Sequence, residues 1–90
     1  MDDELRLLKN LGKTSVQWLN AVGIHSRHEL HQRGAVNAYQ AVLKRGFRAS
    51  KSLLYAIDAA LQDIHLSQLP ESRKAELNGL LSQILDNNKS

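Results

Sequence analysis

Ninety residues with 42% hydrophobic content allow one domain with a single modest core. The chain has no cysteine, which excludes a disulfide framework and thiolate chemistry. No apolar run approaches the ~20 residues of a membrane span. The net charge of +3 is unevenly placed. Between residues 13 and 52, Lys13, Arg27, Arg33, Lys44, Arg45, Arg48 and Lys51 stand against Glu29 alone, and both flanks are net acidic. Such asymmetry fits an anionic partner, and equally a solvated face with scattered cations.

Helix-forming residues dominate, with Pro70 the one proline and no β-branched or aromatic runs. The expected fold is all-α: a compact bundle of about five helices, one domain over residues 1–90 with its core at about 8–85. The start, MDDELR, is acidic and lacks an apolar h-region, so a signal peptide is not expected and a soluble, cytoplasmic protein is.

Residues 1–9 read as a short frayed helix anchored by Leu5, Leu7 and Leu8, with Asp2, Asp3 and Glu4 suited to its dipole. Helix A is expected over residues 13–22, entered at Gly12, with Val16, Leu19 and Val22 inward. Trp18 lies towards the edge of that face. It reads as a partly buried packing residue, although a tryptophan beside a basic surface could stack on a base. Gly23 ends the helix in a left-handed conformation, and Ile24 plugs the turn. Helix B covers about residues 27–32, with Leu30 inward and Gly34 at its end. Ser26 and Glu29 form an S-x-x-E capping box, the carboxylate reaching back to the Ser26 amide. Helix C spans about residues 35–44, with Val36, Tyr39, Val42 and Leu43 on one stripe and Gly46 as its cap. Phe47 folds back as a lid.

Helix D is read as the central helix. Ser50 is its N-cap, and Leu53, Leu54, Ile57, Ala60, Leu61 and Ile64 form its apolar stripe up to about His65. Ala56, Ala59 and Ala60 permit close approach of a neighbour. Asp58 and Asp63 read as solvated surface acids. Residues 66–70 form a linker, and Pro70 suits the first turn of helix E. Helix E covers about residues 71–85, with Ala75, Leu77, Leu80, Leu81, Ile84 and Leu85 apolar.

The segment from Asn10 to Gly34 raises the functional question. Two helix starts, near Gly12 and at Ser26, offer free amides and a partial positive charge, a ready arrangement for an anion. Helix-hairpin-helix modules hold DNA phosphates on a turn of the form apolar-Gly-apolar-Gly. Here the turn is Val22-Gly23-Ile24-His25, so His25 replaces the second glycine. The run Asn10-Leu11-Gly12-Lys13-Thr14-Ser15 resembles the N-L-G-K-x-S turn of the C-terminal domain of the bacterial RNA polymerase alpha subunit. That resemblance implies phosphate contacts at Gly12 and Ser15 with Lys13 nearby, while Thr14 stands in place of a lysine. The candidate nucleic-acid-binding set is therefore Gly12, Lys13, Ser15, Gly23, His25, Ser26, Arg27, Arg33, Arg45 and Arg48. His25, His28 and His31 cannot share one helical face, and no carboxylate or thiolate completes a tetrahedral site, so no metal and no cofactor is expected. No catalytic motif occurs, and an enzyme is not expected.

Taken together, LKNLGKTSVQWLNAVGI, SRHELHQRGAVNAYQAV, SLLYAIDAALQDIHLSQLP and the following SRKAEL resemble the C-terminal domain of the TfoX/Sxy family, bacterial regulators of DNA-uptake competence. The resemblance implies an all-α, helix-hairpin-helix-like domain with a role in turning on competence genes. Typical members carry a separate N-terminal domain before it. Met1 at the head of this sequence favours a stand-alone chain over one cut from such a protein. Two functions follow as expectations. One is non-specific contact with DNA phosphates. The other is docking of a transcription factor or RNA polymerase subunit, or homodimerisation through helix E.

Overall fold

The computed structural model describes residues 4–87. Five α-helices follow one another: α1 (Lys13–Ala21), α2 (Arg27–Arg33), α3 (Ala35–Lys44), α4 (Lys51–Leu61) and α5 (Glu71–Asn87). There is no strand among the described residues. The all-α bundle of five helices is as expected. The N-terminal helix is not: Glu4–Leu7 form a single 3-10 turn. Leu5 is buried and Leu8 packs against the core, but Leu7 is 84% exposed. Asp2 and Asp3 lie outside the described residues.

The centre of the core is α4. Leu54, Ile57 and Ala59 are inaccessible to solvent, and Ala56 and Ala60 are buried beside them. Three small side chains on one helix let a neighbour's backbone approach closely, and α3 takes that place, with Ala38 and Val42 also fully buried. Leu19 and Val16 of α1, Ile24 of the first turn and Leu30 of α2 complete one side. From α5, Leu77 and Leu81 complete the other.

Three helices end in the same way. At Gly23 the amide bonds the carbonyl of Asn20, and the Ile24 amide bonds that of Leu19. Gly46 and Phe47 repeat this on Leu43 and Val42. This double pairing places the residue after the helix at positive φ, which glycine adopts without a Cβ clash. The third stop was not foreseen. It lies at Asp63 (φ 59), where Asp63 and Ile64 donate to Ala60 and Ala59. It ends α4 at Leu61, before the expected His65. Asp63 is thus a cap residue in a left-handed conformation, paired loosely with Lys9 at 3.8 Å. Replacing Asp63 by glycine relieves that conformation and loses only an exposed pair. It should stabilise the domain by about 0.5–1 kcal/mol, read as a raised denaturation midpoint.

Other expectations need correction. Asp58 is not a solvated acid. It is 4% exposed and takes two hydrogen bonds from Arg73, Nε to Oδ2 at 2.9 Å and Nη2 to Oδ1 at 2.8 Å, plus one from Gln62. Ser50 occupies the N-cap position of α4, yet its hydroxyl makes no capping bond. Residues 66–68 are a 3-10 turn rather than a bare linker, and His65 Nδ1 accepts from the Ser67 amide to cap it. Pro70 stands just before α5, and its carbonyl accepts from Arg73 and Lys74. On α5, Leu80 is 45% exposed and Ala75 is exposed, so the apolar stripe is narrower than expected. The side chain of Leu85 lies outside the described residues.

Candidate nucleic-acid interface

Four amides around the turn between α1 and α2 are already engaged. Gly23 and Ile24 donate to the end of α1. The His25 amide donates to Glu29 Oε1 at 2.7 Å, and the Glu29 amide donates to Ser26 Oγ at 3.1 Å. Half of the expected capping box is present: Ser26 Oγ takes the Glu29 amide, but the carboxylate takes the His25 amide in place of that of Ser26. That hydrogen bond is the main reason the Glu29 carboxyl is held below its usual pKa, with further contributions from the His25 charge and the Ser26 groups. The amide in the position of the second hairpin glycine is therefore occupied, and a carboxylate stands in front of it. The small concavity here, lined by Gly23, Ile24, Glu29, Gln32 and Arg33, carries that negative charge. Phosphate approach at this turn is opposed on both counts.

Ser26→Ala should cost about 1 kcal/mol, seen as a lower midpoint in urea. A group whose pKa is lower folded than unfolded stabilises the fold above its unfolded pKa and loses that contribution as pH falls through the folded one. The Ser26→Ala penalty should accordingly shrink in acid, once Glu29 is protonated and the box is already half broken. Equal penalties at neutral and acid pH would show that the two halves do not act together.

Two of the candidate arginines are turned to main-chain carbonyls. Arg27 Nη2 reaches Leu61 O, and Arg33 Nη2 reaches Val22 O, each at 3.4 Å. Both carbonyls lie at the ends of helices, where a cation offsets the dipole. Arg27 thereby marks the C-terminal end of α4, whereas Arg48 and Ser50 stand at its start. Eleven residues at ~1.5 Å each separate the two by about 16 Å. The ten candidate residues thus do not form one patch. Gly23, His25, Ser26, Arg27 and Arg33 gather at the α1–α2 turn. Arg45 is exposed at the end of α3, and His28 and His31 are exposed on α2. Among the described residues, no three His, Cys, Asp or Glu side chains are grouped as metal ligands would be.

Of the rest, Ser15 and Arg48 line one groove elsewhere. The starts of α1 and α4 flank a groove of about 400 Å³ lined by Thr14, Ser15, Trp18, Arg48, Ser50 and Ser52, among others. No acidic side chain lines it. Gly12 caps α1 by position with no side-chain bond, and Lys13 is exposed beside it. Two helix starts without side-chain caps, four hydroxyls and a guanidinium therefore share one groove.

Two remote contacts build its walls. Asn10 Nδ2 donates to Ile64 O at 2.9 Å, and Asn10 Oδ1 accepts from the Leu66 amide at 2.8 Å. This fastens the segment entering α1 to the segment leaving α4. On the other side Tyr39 Oη donates to Ala49 O at 2.9 Å, fixing the residue between Arg48 and Ser50. Burial raises the Tyr39 pKa, so the phenol stays protonated as donor. Phe47 stacks on Trp18 with ring centres 5.4 Å apart, the lid position expected for it. Ser50, Ser52 and the Asn10 clamp were missed. The clamp's only sequence signal was Asn10 beside a glycine-started helix, since its partners lie more than fifty residues away.

None of the described helices is long and apolar enough to cross a membrane. No curated protein matches the chain. Two crystal structures from Listeria monocytogenes are similar to it. One, of an uncharacterized protein in a triclinic form, is 31% identical with a TM-score of 0.81, covering 89% of this chain and 91% of its own. The other, of a protein of unknown function in a tetragonal form, is 33% identical with a TM-score of 0.79, covering 88% and 96%. Residues 1–81 match the family model of the TfoX C-terminal domain. With the fold that the motifs implied and a match along most of its length, the chain belongs to the TfoX C-terminal domain family.

Proposed function

We propose that this domain is a non-enzymatic regulatory module that takes nucleic-acid phosphates, without sequence preference, in the groove between the starts of α1 and α4. One observation carries the reading. Arg48 shares an acid-free groove with the hydroxyls of Thr14, Ser15, Ser50 and Ser52, at two helix starts that carry no side-chain cap. Helix starts and guanidinium groups both favour phosphate oxygens. Lys13 adds charge beside the groove, and Gly12 and Ser15 keep the role their resemblance suggests. Family membership supports the regulatory part of the reading. Docking of a protein through α5 has less behind it: Leu80 is the one large apolar side chain strongly exposed among those described on that helix, and single exposed leucines are ordinary.

Fluorescence anisotropy with labelled DNA at two salt concentrations tests the proposal. Affinity should fall steeply with salt, because phosphate contacts release counterions. Arg48→Ala should weaken binding and reduce the salt slope by about one. Binding indifferent to salt, or unchanged in Arg48→Ala, would overturn it.

A further inference from the structure

We infer that the groove takes a single strand of nucleic acid rather than a duplex, with a base laid against Trp18 and the neighbouring phosphates on Arg48 and the groove hydroxyls. This rests on the phosphate reading above and adds to it the form of the partner.

The observation is the double placement of Trp18, the single tryptophan of the chain. Its ring packs against Phe47 with an interplanar angle of 18°, which satisfies its role in the core. The same side chain also lines the groove with Arg48, Thr14 and Ser15. The groove around it is mixed, its hydroxyls and guanidinium set beside Leu53, Ala56 and Leu66, so the indole offers a flat apolar surface next to phosphate-binding groups. The platform is also held in place. The Phe47 amide donates to Val42 O in the helix stop, and Tyr39 ties down Ala49 two residues on. An aromatic ring set beside a cation in an acid-free groove is the combination that holds single strands, the ring taking a base and the cation its backbone. Inside a duplex the bases are stacked on one another, and their faces do not reach a protein ring. A duplex could use Arg48 and the hydroxyls but would leave Trp18 idle. The volume, about 400 Å³, lies within the ~300–1,000 Å³ of ordinary ligand sites.

The test uses the full chain, a labelled oligothymidylate of about 15 nucleotides, near the upper end of single-strand site sizes, and a duplex of equal length. Anisotropy should show the single strand bound at least about tenfold tighter. Trp18 emission should be quenched over the same concentration range. Trp18→Leu, checked for folding by circular dichroism, should lose about tenfold in affinity for the single strand and little for the duplex. Quenching in the unaltered protein keeps the test open if that variant unfolds. Equal or tighter duplex binding, or single-strand binding without quenching, overturns the inference while leaving the phosphate groove standing. Binding of neither probe overturns both.

Discussion

Replacing Arg73 with methionine is expected to lower stability by about 3 kcal/mol, the low end for breaking a buried ion pair. The reason is what remains. Asp58 sits on the central helix, its side chain 5% exposed, and would keep only Gln62 as partner. A carboxylate so placed would be left in the core with no cation beside it. The reverse substitution should cost less. In Asp58→Asn the Arg73 side chain, 36% exposed, keeps access to water and to Glu76 at 3.5 Å. We expect about 1–2 kcal/mol there, mostly lost charge-assisted hydrogen bonding. Arg73 is held above its ordinary pKa chiefly by its hydrogen bonds to Asp58, which agrees with a strong bidentate contact. Urea denaturation of the two variants side by side checks the order. If Asp58→Asn proved the more damaging, the pair would not be limited by the buried acid. The pair also positions the helices, since it joins the start of α5 to the C-terminal half of α4.

Asn10→Ala is expected to cost about 2–3 kcal/mol, the sum of two lost hydrogen bonds and a strained alanine. Asn10 has φ 72, in the left-handed region that asparagine tolerates better than alanine. Its amide meets Ile64 O and the Leu66 amide as a neighbouring strand would. Asn10→Gly separates the two causes. Glycine removes the strain but not the lost bonds, so it should cost about 1–2 kcal/mol. Both variants loosen the wall that leads to Gly12 and Ser15, so both should weaken nucleic-acid binding more than their stability loss implies. Midpoints from thermal melts, set beside anisotropy in the cold where each variant is folded, measure both effects. An Asn10→Gly protein as stable as the original would mean the clamp contributes nothing net.

The contrast between these residues and the capping box shows what could be read in advance. Ser26 and Glu29 are three apart, and their meeting is dictated by helix geometry once a helix starts there. Gly23 and Gly46 announced their helix ends because only glycine adopts that backbone freely. Asp63 performs the same task silently, because aspartate is common in many settings and carries no such signature. Arg27 and Arg33 counted as free cations in the sequence, since nothing local shows that helix ends lie within their reach.

Local chemistry by itself determined the class of this protein: five helices, the glycine stops at Gly23 and Gly46, the apolar stripe of α4 and the buried faces of Val16, Leu19, Leu30 and Leu77. These follow from the period of the helix and from backbone preferences, which act within a few residues. Tertiary structure alone decided that Asp58 is buried and paired, and that Arg48 shares a groove with Ser15 and Trp18. Each depends on which remote segments come together, and side-chain charge or a hydroxyl has no periodicity that reveals its partner. The candidate site was therefore half legible. Its residues at Gly12, Lys13, Ser15 and Arg48 stood out by type, but only the packing of the bundle set Arg48 beside the start of α1 rather than beside the α1–α2 turn.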